Sequence, residues 1–382
     1  MGLSAMMSLM TPMPTIKPSK PSDWNVDGAD APTSLAVSVV IVTYNSRPYI
    51  DACLESLAAT LPPAAEIVVV DNASSDGTAA HIAAQHPAVK LIAHADNSGF
   101  AVGNNLGVAH ASGDYIAFIN PDTTVTPGWL EAMIAVLDDD PSVGMVTPKI
   151  LLMNPPDQVN TCGNTVHLTG LTLCRGVGAD RDDPTLNVVS EVNAISGAAF
   201  VMRRALYEEL GGFDALLFMY MEDTDLSLRA RQRGYKCFYT PHAVIYHDYR
   251  LRFGPRKTFY QERNRYIMLL KLFDWRTLAL LLPALLLAEA VTWGFTLLKD
   301  RRNARNKPAA YRAIIREWRV IMARRAETQL MRRVSDRDLL SGLSYMMEFE
   351  QTGRNLTSTL AHLIFDPLFW TMQRFILLIV RW

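Results

Sequence analysis

VSVVIV (37–42), EIVVVD (66–71) and DYIAFIN (114–120) are the stretches whose reading decides the fold. Each is a short apolar run rich in β-branched or aromatic residues, which marks a buried strand. Between them, 49–59 and 78–85 carry helical spacing, so the order is strand, helix, strand, helix. That order predicts an α/β, Rossmann-like, mostly parallel sheet with flanking helices and right-handed crossovers. In such sheets ligands gather at the carboxyl ends of the strands, where loops face a crevice and helix N-termini point into it. TYN (43–45), DNASSDGT (71–78) and NPD (120–122) fall at those positions. One such cluster alone is an ordinary turn or helix cap. Three in succession point to a ligand crevice.

A chain of 382 residues, 49% of them hydrophobic, is long enough for one large core and a further module. A formal net charge of -1 gives no global attraction to nucleic acid, and none is expected as a partner. Cys53, Cys162, Cys174 and Cys237 are irregularly spaced and form no CxxC pair, which argues against a zinc site or a disulfide framework. A reduced, cytosolic setting fits. Residues 1–36, rich in Met, Pro, Ser and Thr, read as a disordered tail without the pattern of a secretory signal. Residues 37–250 form the α/β domain, and 251–382 turn basic and then strongly apolar, as a helical module would.

Three sets of residues carry candidate chemistry. Asp71, at the end of an apolar strand, suits a hydrogen bond from a nucleotide base N–H, although a capping aspartate looks the same. Asp122, after another buried strand, suits Mg²⁺ or Mn²⁺, hard cations that take carboxylate oxygen while sharing their shell with phosphates. Glu222, Asp223 and Asp225 stand at a helix start in MEDTDLSLRARQRG (221–234). Carboxylates there suit the helix dipole as a plain surface helix would, or they supply a base for an acceptor hydroxyl.

Taken in order, VSVVIVTYN, VVVDNASSDGT, NSGFAVGNNLG (97–107), NPD, GGFD (211–214) and EDTDLSLRARQRGY closely resemble the family 2 glycosyltransferases of GT-A fold, in their rhamnosyltransferase-like branch. The resemblance covers residues 37–249. It implies that Thr43, Tyr44 and Asn45 line the nucleotide pocket, that Asp71 meets the base, and that Asn97, Gly99, Asn104 and Asn105 shape the donor loop. Asp122 would bind the metal, with Asn120 standing where a DxD signature has its first aspartate. His247 would lie near the metal or diphosphate. Asp223 would be the catalytic base, with Glu222 and Asp225 orienting it or the acceptor, and Trp129 either a packed anchor or part of an acceptor wall. The QxxRW signature of processive relatives is replaced by ARQRGY (230–235), which favours single-sugar transfer.

The expected activity is inverting transfer of a sugar, L-rhamnose from dTDP-rhamnose by resemblance, from a nucleotide diphosphate sugar to a saccharide or lipid-linked acceptor in cell-surface polysaccharide assembly. A nucleotidyltransferase and a membrane-recruited nucleotide-sugar-binding scaffold are the rival readings. The first lacks its Gly-rich basic loop; retention of Asp122 with Glu222 and Asp223 argues against the second. The run 277–298 has the length to span a bilayer but contains Pro283 and Glu289. Residues 299–337 hold 13 Lys or Arg against 4 acidic residues, and Arg250, Arg252, Arg256 and Lys257 precede the run. Both flanks therefore belong on the cytoplasmic side. Ile314, Ile315, Trp318, Ile321 and Met322 recur at helical spacing among arginines, as in an interfacial helix. The module is expected to lie in or dip into the cytoplasmic leaflet of the inner membrane, in contact with lipid; a twice-crossing hairpin is the alternative. The sequence sets no oligomeric state.

Overall fold

A computed structural model of the chain describes residues 36–249, 255–347 and 356–382. The tail expected over 1–36, save Ala36, lies outside the described residues, as do Arg250 and Arg252. The strands are β1 Val37–Thr43, β2 Glu66–Asn72, β3 Lys90–His94, β4 Tyr115–Ile119, β5 Thr123–Val125, β6 Val143–Leu152, β7 Val159–Thr161, β8 Asn164–Val166, β9 Thr172–Cys174, β10 Ser190–Val192, β11 Ala199–Arg203 and β12 Lys236–His247. The helices are α1 Ile50–Thr60, α2 Thr78–Gln85, α3 Gly99–His110, α4 Trp129–Asp139, α5 Arg204–Glu209, α6 Glu222–Gln232, α7 Pro255–Leu272, α8 Trp275–Lys299, α9 Asn306–Arg316, α10 Trp318–Leu330, α11 Asp336–Ser341 and α12 Leu356–Ile379.

The ten-stranded sheet runs β10-β12-β6-β11-β4-β1-β2-β3, with β5 on β12 and β7 on β6. Strands β3, β2, β1 and β4 are parallel, as the alternating pattern predicts. Beyond β4 the sheet is mixed, because β11 enters antiparallel to both β4 and β6. Every residue of β1 is buried, which fits a central strand covered on both faces. One apolar layer packs α1 and α4 on the sheet; the other holds α3 and the Phe118, Phe200 and Phe213 rings. Helix α3 comes unusually close: a Cβ at Gly107 would lie 2.4 Å from Val40, and one at Gly103 2.8 Å from Val42.

The C-terminal helices share a core with the α/β layer. Val166, Leu168, Ala194, Met221 and Leu228 pack with Met268, Leu269, Leu281 and Phe369. The apolar run forms one helix through Pro283, and Glu289 does not break it. Glu289 instead pairs with Arg265 at 3.0 Å and Lys307 at 2.9 Å, and accepts from the Tyr266 hydroxyl at 2.7 Å. Glu262 completes a quartet with Arg265 and Lys307. The stripe at 314–322 departs from expectation. It is two helices meeting at Glu317, and Ile321 is buried with Leu217 and Ile267, Ile314 and Met322 packing beside them. Only Ile315 and Trp318 of that set are exposed, so its periodicity mainly records packing on α7.

Candidate active site

The first crevice wall is built where β1 and β2 end in register, Thr43 beside Asp71. The Thr43 hydroxyl donates to Asp71 Oδ1 at 2.8 Å, while the Ser74 amide donates to Oδ2 at 2.9 Å and its hydroxyl to Oδ1 at 2.5 Å. Asp71 is buried and therefore braces the loop as well as facing it. Asn45, with φ of 54°, accepts from the Ser75 amide at 2.9 Å, and Ser46 N donates to Thr78 Oγ1 at 3.0 Å. These bonds zip loop 43–47 to loop 71–78. Tyr44, 48% exposed, stands at the open rim, where a ring can stack on a base.

Beside it, Asn97 Oδ1 accepts the Gly99 amide at 3.0 Å, and buried Asn72 donates to Gly99 O at 2.9 Å. Gly99 has φ of +85°, and a Cβ there would strike Phe218 O at 2.5 Å, so its glycine is required by the neighbouring segment. Asn104 and Asn105, expected to shape the donor loop, do so through bonds to backbone groups. Asn104 Nδ2 donates to Phe100 O at 2.9 Å; Asn105 Nδ2 donates to Phe213 O at 2.8 Å and its Oδ1 accepts the Phe213 amide at 2.9 Å. They hold the donor loop and the GGFD turn from beneath.

The candidate metal pair comes from pairing β5 with β12, which sets His247 opposite Thr123. His247 Nε2 then lies 3.3 Å from Asp122 Oδ1. That oxygen is buried and takes no aligned hydrogen bond among the described residues. His247 Nδ1 meets Asn160 Oδ1 at 2.9 Å, an arrangement that places the ring proton on Nδ1 and leaves the Nε2 lone pair facing the carboxylate. Two acceptors that close need a positive centre between them, a proton or a cation, so the residues present fit a divalent metal held by one carboxylate and one oriented imidazole. Asn120 contributes its backbone: its amide donates to Ala198 O at 2.9 Å and its carbonyl accepts from Thr123 Oγ1 at 2.7 Å.

The carboxylate pair opens α6. Asp223 Oδ2 accepts the Gly197 amide at 2.8 Å and Oδ1 the Thr224 amide at 2.7 Å, which fixes its direction. Glu222 is buried, with Oε2 unpartnered among the described residues. Burial pushes both carboxyls above their usual range; for Glu222 the neighbouring Asp223 charge adds to it, and for Asp223 the amide bonds oppose it. A basic carboxylate beside a crevice is what a proton acceptor requires. Asp225 corrects the expectation of a third catalytic carboxylate. It is fully buried, bonded to Arg229 Nε at 2.8 Å and paired with Lys271 Nζ at 2.7 Å, so it anchors the helix and faces no acceptor. Trp129 is likewise a packed anchor, fully buried with its indole N–H 3.3 Å from Thr60 Oγ1.

The backbone leading into the pair is strained and clamped. Phe218, Tyr220 and Met221 have φ of 60°, 64° and 71°, left-handed values that non-glycine residues adopt at a cost. Asn264 on α7, fully buried, points its amide nitrogen at Leu217 O, Met219 O and Tyr220 O at 2.7, 3.0 and 2.8 Å. Arg263 Nη1 adds a bond to Leu216 O at 2.9 Å, and Tyr260 stacks on Phe218 at 5.2 Å. Sequence reasoning missed Asn264 and Asn160, since neither sits in a local motif; Ser74 and Thr78 were inside a quoted motif without a role.

Residues 38–211 match the family model described as glycosyl transferase family 2. Among curated relatives, the N-acetylglucosaminyl-diphospho-decaprenol L-rhamnosyltransferase of Mycobacterium tuberculosis is 27% identical over 231 residues, 55% of this chain and 75% of its own. The pre-mycofactocin glycosyltransferase of the same organism is 28% identical over 236 residues, 60% of this chain and 47% of its own. A solved structure of GalNAc-T7 with UDP, GalNAc and Mn²⁺ superposes with TM-score 0.53 at 19% identity, over 64% of this chain and 49% of that one. At that identity the likeness shows the fold, GT-A.

Proposed function

We propose that this glycosyltransferase, whose residues 38–211 form a family 2 glycosyl transferase domain, moves one sugar with inversion from a nucleotide diphosphate donor to a lipid-linked saccharide. L-Rhamnose from dTDP-rhamnose is the donor favoured by likeness to the mycobacterial rhamnosyltransferase, which acts on N-acetylglucosaminyl-diphospho-decaprenol. The observation that supports the reading is the Glu222–Asp223 pair at the start of α6, with the Asp223 carboxylate held by the Gly197 amide at 2.8 Å.

In the step, Asp223 accepts the proton of an acceptor hydroxyl, the oxygen attacks the anomeric carbon from the face opposite the diphosphate, and the bond to the diphosphate oxygen breaks. Nucleoside diphosphate leaves, and the proton stays on Asp223 until solvent takes it. Glu222 lies beside it, its carboxyl raised by burial and by the Asp223 charge. Thr43, Tyr44, Asn45 and Asp71 orient the base and ribose; Asn97 and Gly99 border the sugar. Asp122 and His247 would hold Mg²⁺ or Mn²⁺, which neutralises diphosphate charge when bound.

The chain works, on this reading, at the cytoplasmic face of the inner membrane. Helix α8 has the length and apolarity to cross a bilayer, and it exposes Leu282, Leu286, Leu297 and Leu298, while α12 exposes Leu363, Ile364, Phe375 and Leu378. Yet α8 is fastened by Glu289 to α7 and α9, and a helix tied there to a domain in water favours lying in the interface over crossing. The test of function is Asp223→Asn. It is expected to fold and bind donor, while transfer to lipid-linked acceptor falls on the order of a hundredfold or more. Turnover near wild type removes Asp223 as the base.

A further inference from the structure

A cavity of about 300 Å³ lies between the turn before β9 and helices α7 and α8. We propose that it seats the carrier of the acceptor, an isoprenoid-type lipid phosphate or diphosphate, with Lys257 as the anion contact; this deepens the glycosyl-transfer reading and rests on it. The cavity is at the small end of ligand sites, room for a charged head and the first apolar segment of a chain. Its walls are Leu171, Leu173, Met221, Val291, Phe295 and Met347.

The charges around it are accounted for with one exception. Glu262, Arg265 and Lys307 satisfy one another with Glu289, and Asp300 accepts from Thr258 Oγ1 at 3.0 Å and Asn303 Nδ2 at 2.6 Å. Lys257 has no carboxylate partner among the described residues. Among the described residues its ammonium meets the Tyr249 hydroxyl at 3.4 Å and the rings of Tyr220 and Tyr249 at 5.8 and 5.7 Å, with the Cys174 thiol in the same lining. Burial lowers its pKa, a shift that a bound anion would oppose.

Position gives the cavity a direction. Of its lining, Met221 adjoins Glu222, and Tyr249 lies beside the His247 ring, their centroids 5.5 Å apart. Val291 and Phe295 belong to α8, whose outer leucines are exposed. A head group at Lys257 therefore sits next to the chemistry while the tail follows α8 outward. A free nucleotide has no use for the apolar end.

The experiment titrates the full chain in neutral detergent, with EDTA present to silence the Asp122–His247 pair, against farnesyl diphosphate, farnesol, inorganic pyrophosphate and UDP. Saturable binding of farnesyl diphosphate is expected, about tenfold or more tighter than either pyrophosphate or farnesol, and weakened about tenfold by Lys257→Met. Val291→Trp, which fills the apolar end, should block it, while Asp122→Ala should not. Equal binding of pyrophosphate or UDP would reassign Lys257 to the donor and overturn the proposal, as would indifference to both Lys257→Met and Val291→Trp. If the probe binds as expected but wild type turns over no nucleotide sugar, the transfer reading fails and the lipid site stands. Transfer without probe binding has the opposite meaning.

Discussion

Replacing Asn264 by Leu, close in size but without donors, should disable turnover while leaving the donor site intact. The Asn264 amide faces three carbonyls with two protons. Each bond contributes about 1 kcal/mol net, and stranding buried acceptors adds about 1–3 kcal/mol. The segment it restrains holds three left-handed non-glycine residues, at about 1–2 kcal/mol each. Clamp and strain are thus of the same size, and without the clamp residues 218–221 can relax. The aligned Glu222–Asp223 state then loses about 2–4 kcal/mol, which lowers kcat by about 30- to 1000-fold. Donor KM should change less than kcat, because loops 43–47 and 71–78 are zipped to each other and only the Gly99 turn rests against Phe218. Steady-state transfer with varied donor separates the two constants, and circular dichroism confirms the fold. Asn264→Asp, isosteric but presenting a carboxylate to carbonyls, should be as inactive. A folded Asn264→Leu protein with kcat within about threefold of wild type would refute the reasoning.

Asp122→Ala should abolish the dependence of donor binding on Mg²⁺ or Mn²⁺ in calorimetry, and Asn160→Ala, which frees the His247 ring, should weaken metal binding about 10- to 100-fold; an unchanged metal response sinks the pair as the site. Glu222→Gln should raise the melting temperature at pH 8 and leave it unchanged near pH 4. The folded-state pKa of Glu222 is raised by burial, so its contribution is full below the ordinary carboxylate range and is lost as pH rises through the raised value, a loss Gln does not suffer. Equal gains at both pH values would contradict that origin. Cysteines placed at exposed Arg302 and Arg319 should stay unlabelled by an impermeant reagent in sealed cells, since labelling from outside excludes both the in-plane and hairpin arrangements.

What could be read from the sequence was what lies close along the chain. The parallel strands, the loops at their ends and the ED pair are local signals, and they stand where expected. Antiparallel β11 and the β5–β12 pairing join residues far apart in sequence, and no periodicity announces Asn160 beside His247 or Asn264 beneath Tyr220. Asp225, two positions after Asp223 on a helix, points to the opposite side, where Arg229 and Lys271 hold it. The stripe at 314–322 had the right period with two possible coverings, and the α7 surface rather than lipid took most of it.

Helix α7 has two occupied sides. Arg263 and Asn264 grip the segment that leads into Glu222 and Asp223, while Glu262 and Arg265, on the opposite side, grip α8 through Glu289 and Lys307. The bar between them is a single α-helix, stiff over that distance. Whatever tilts or lifts α8 is therefore felt at the Glu222–Asp223 pair. The C-terminal helices are therefore not an interchangeable appendage: the α/β layer joined to a foreign helix would keep its loops 43–47 and 71–78 and lose the brace behind Glu222 and Asp223.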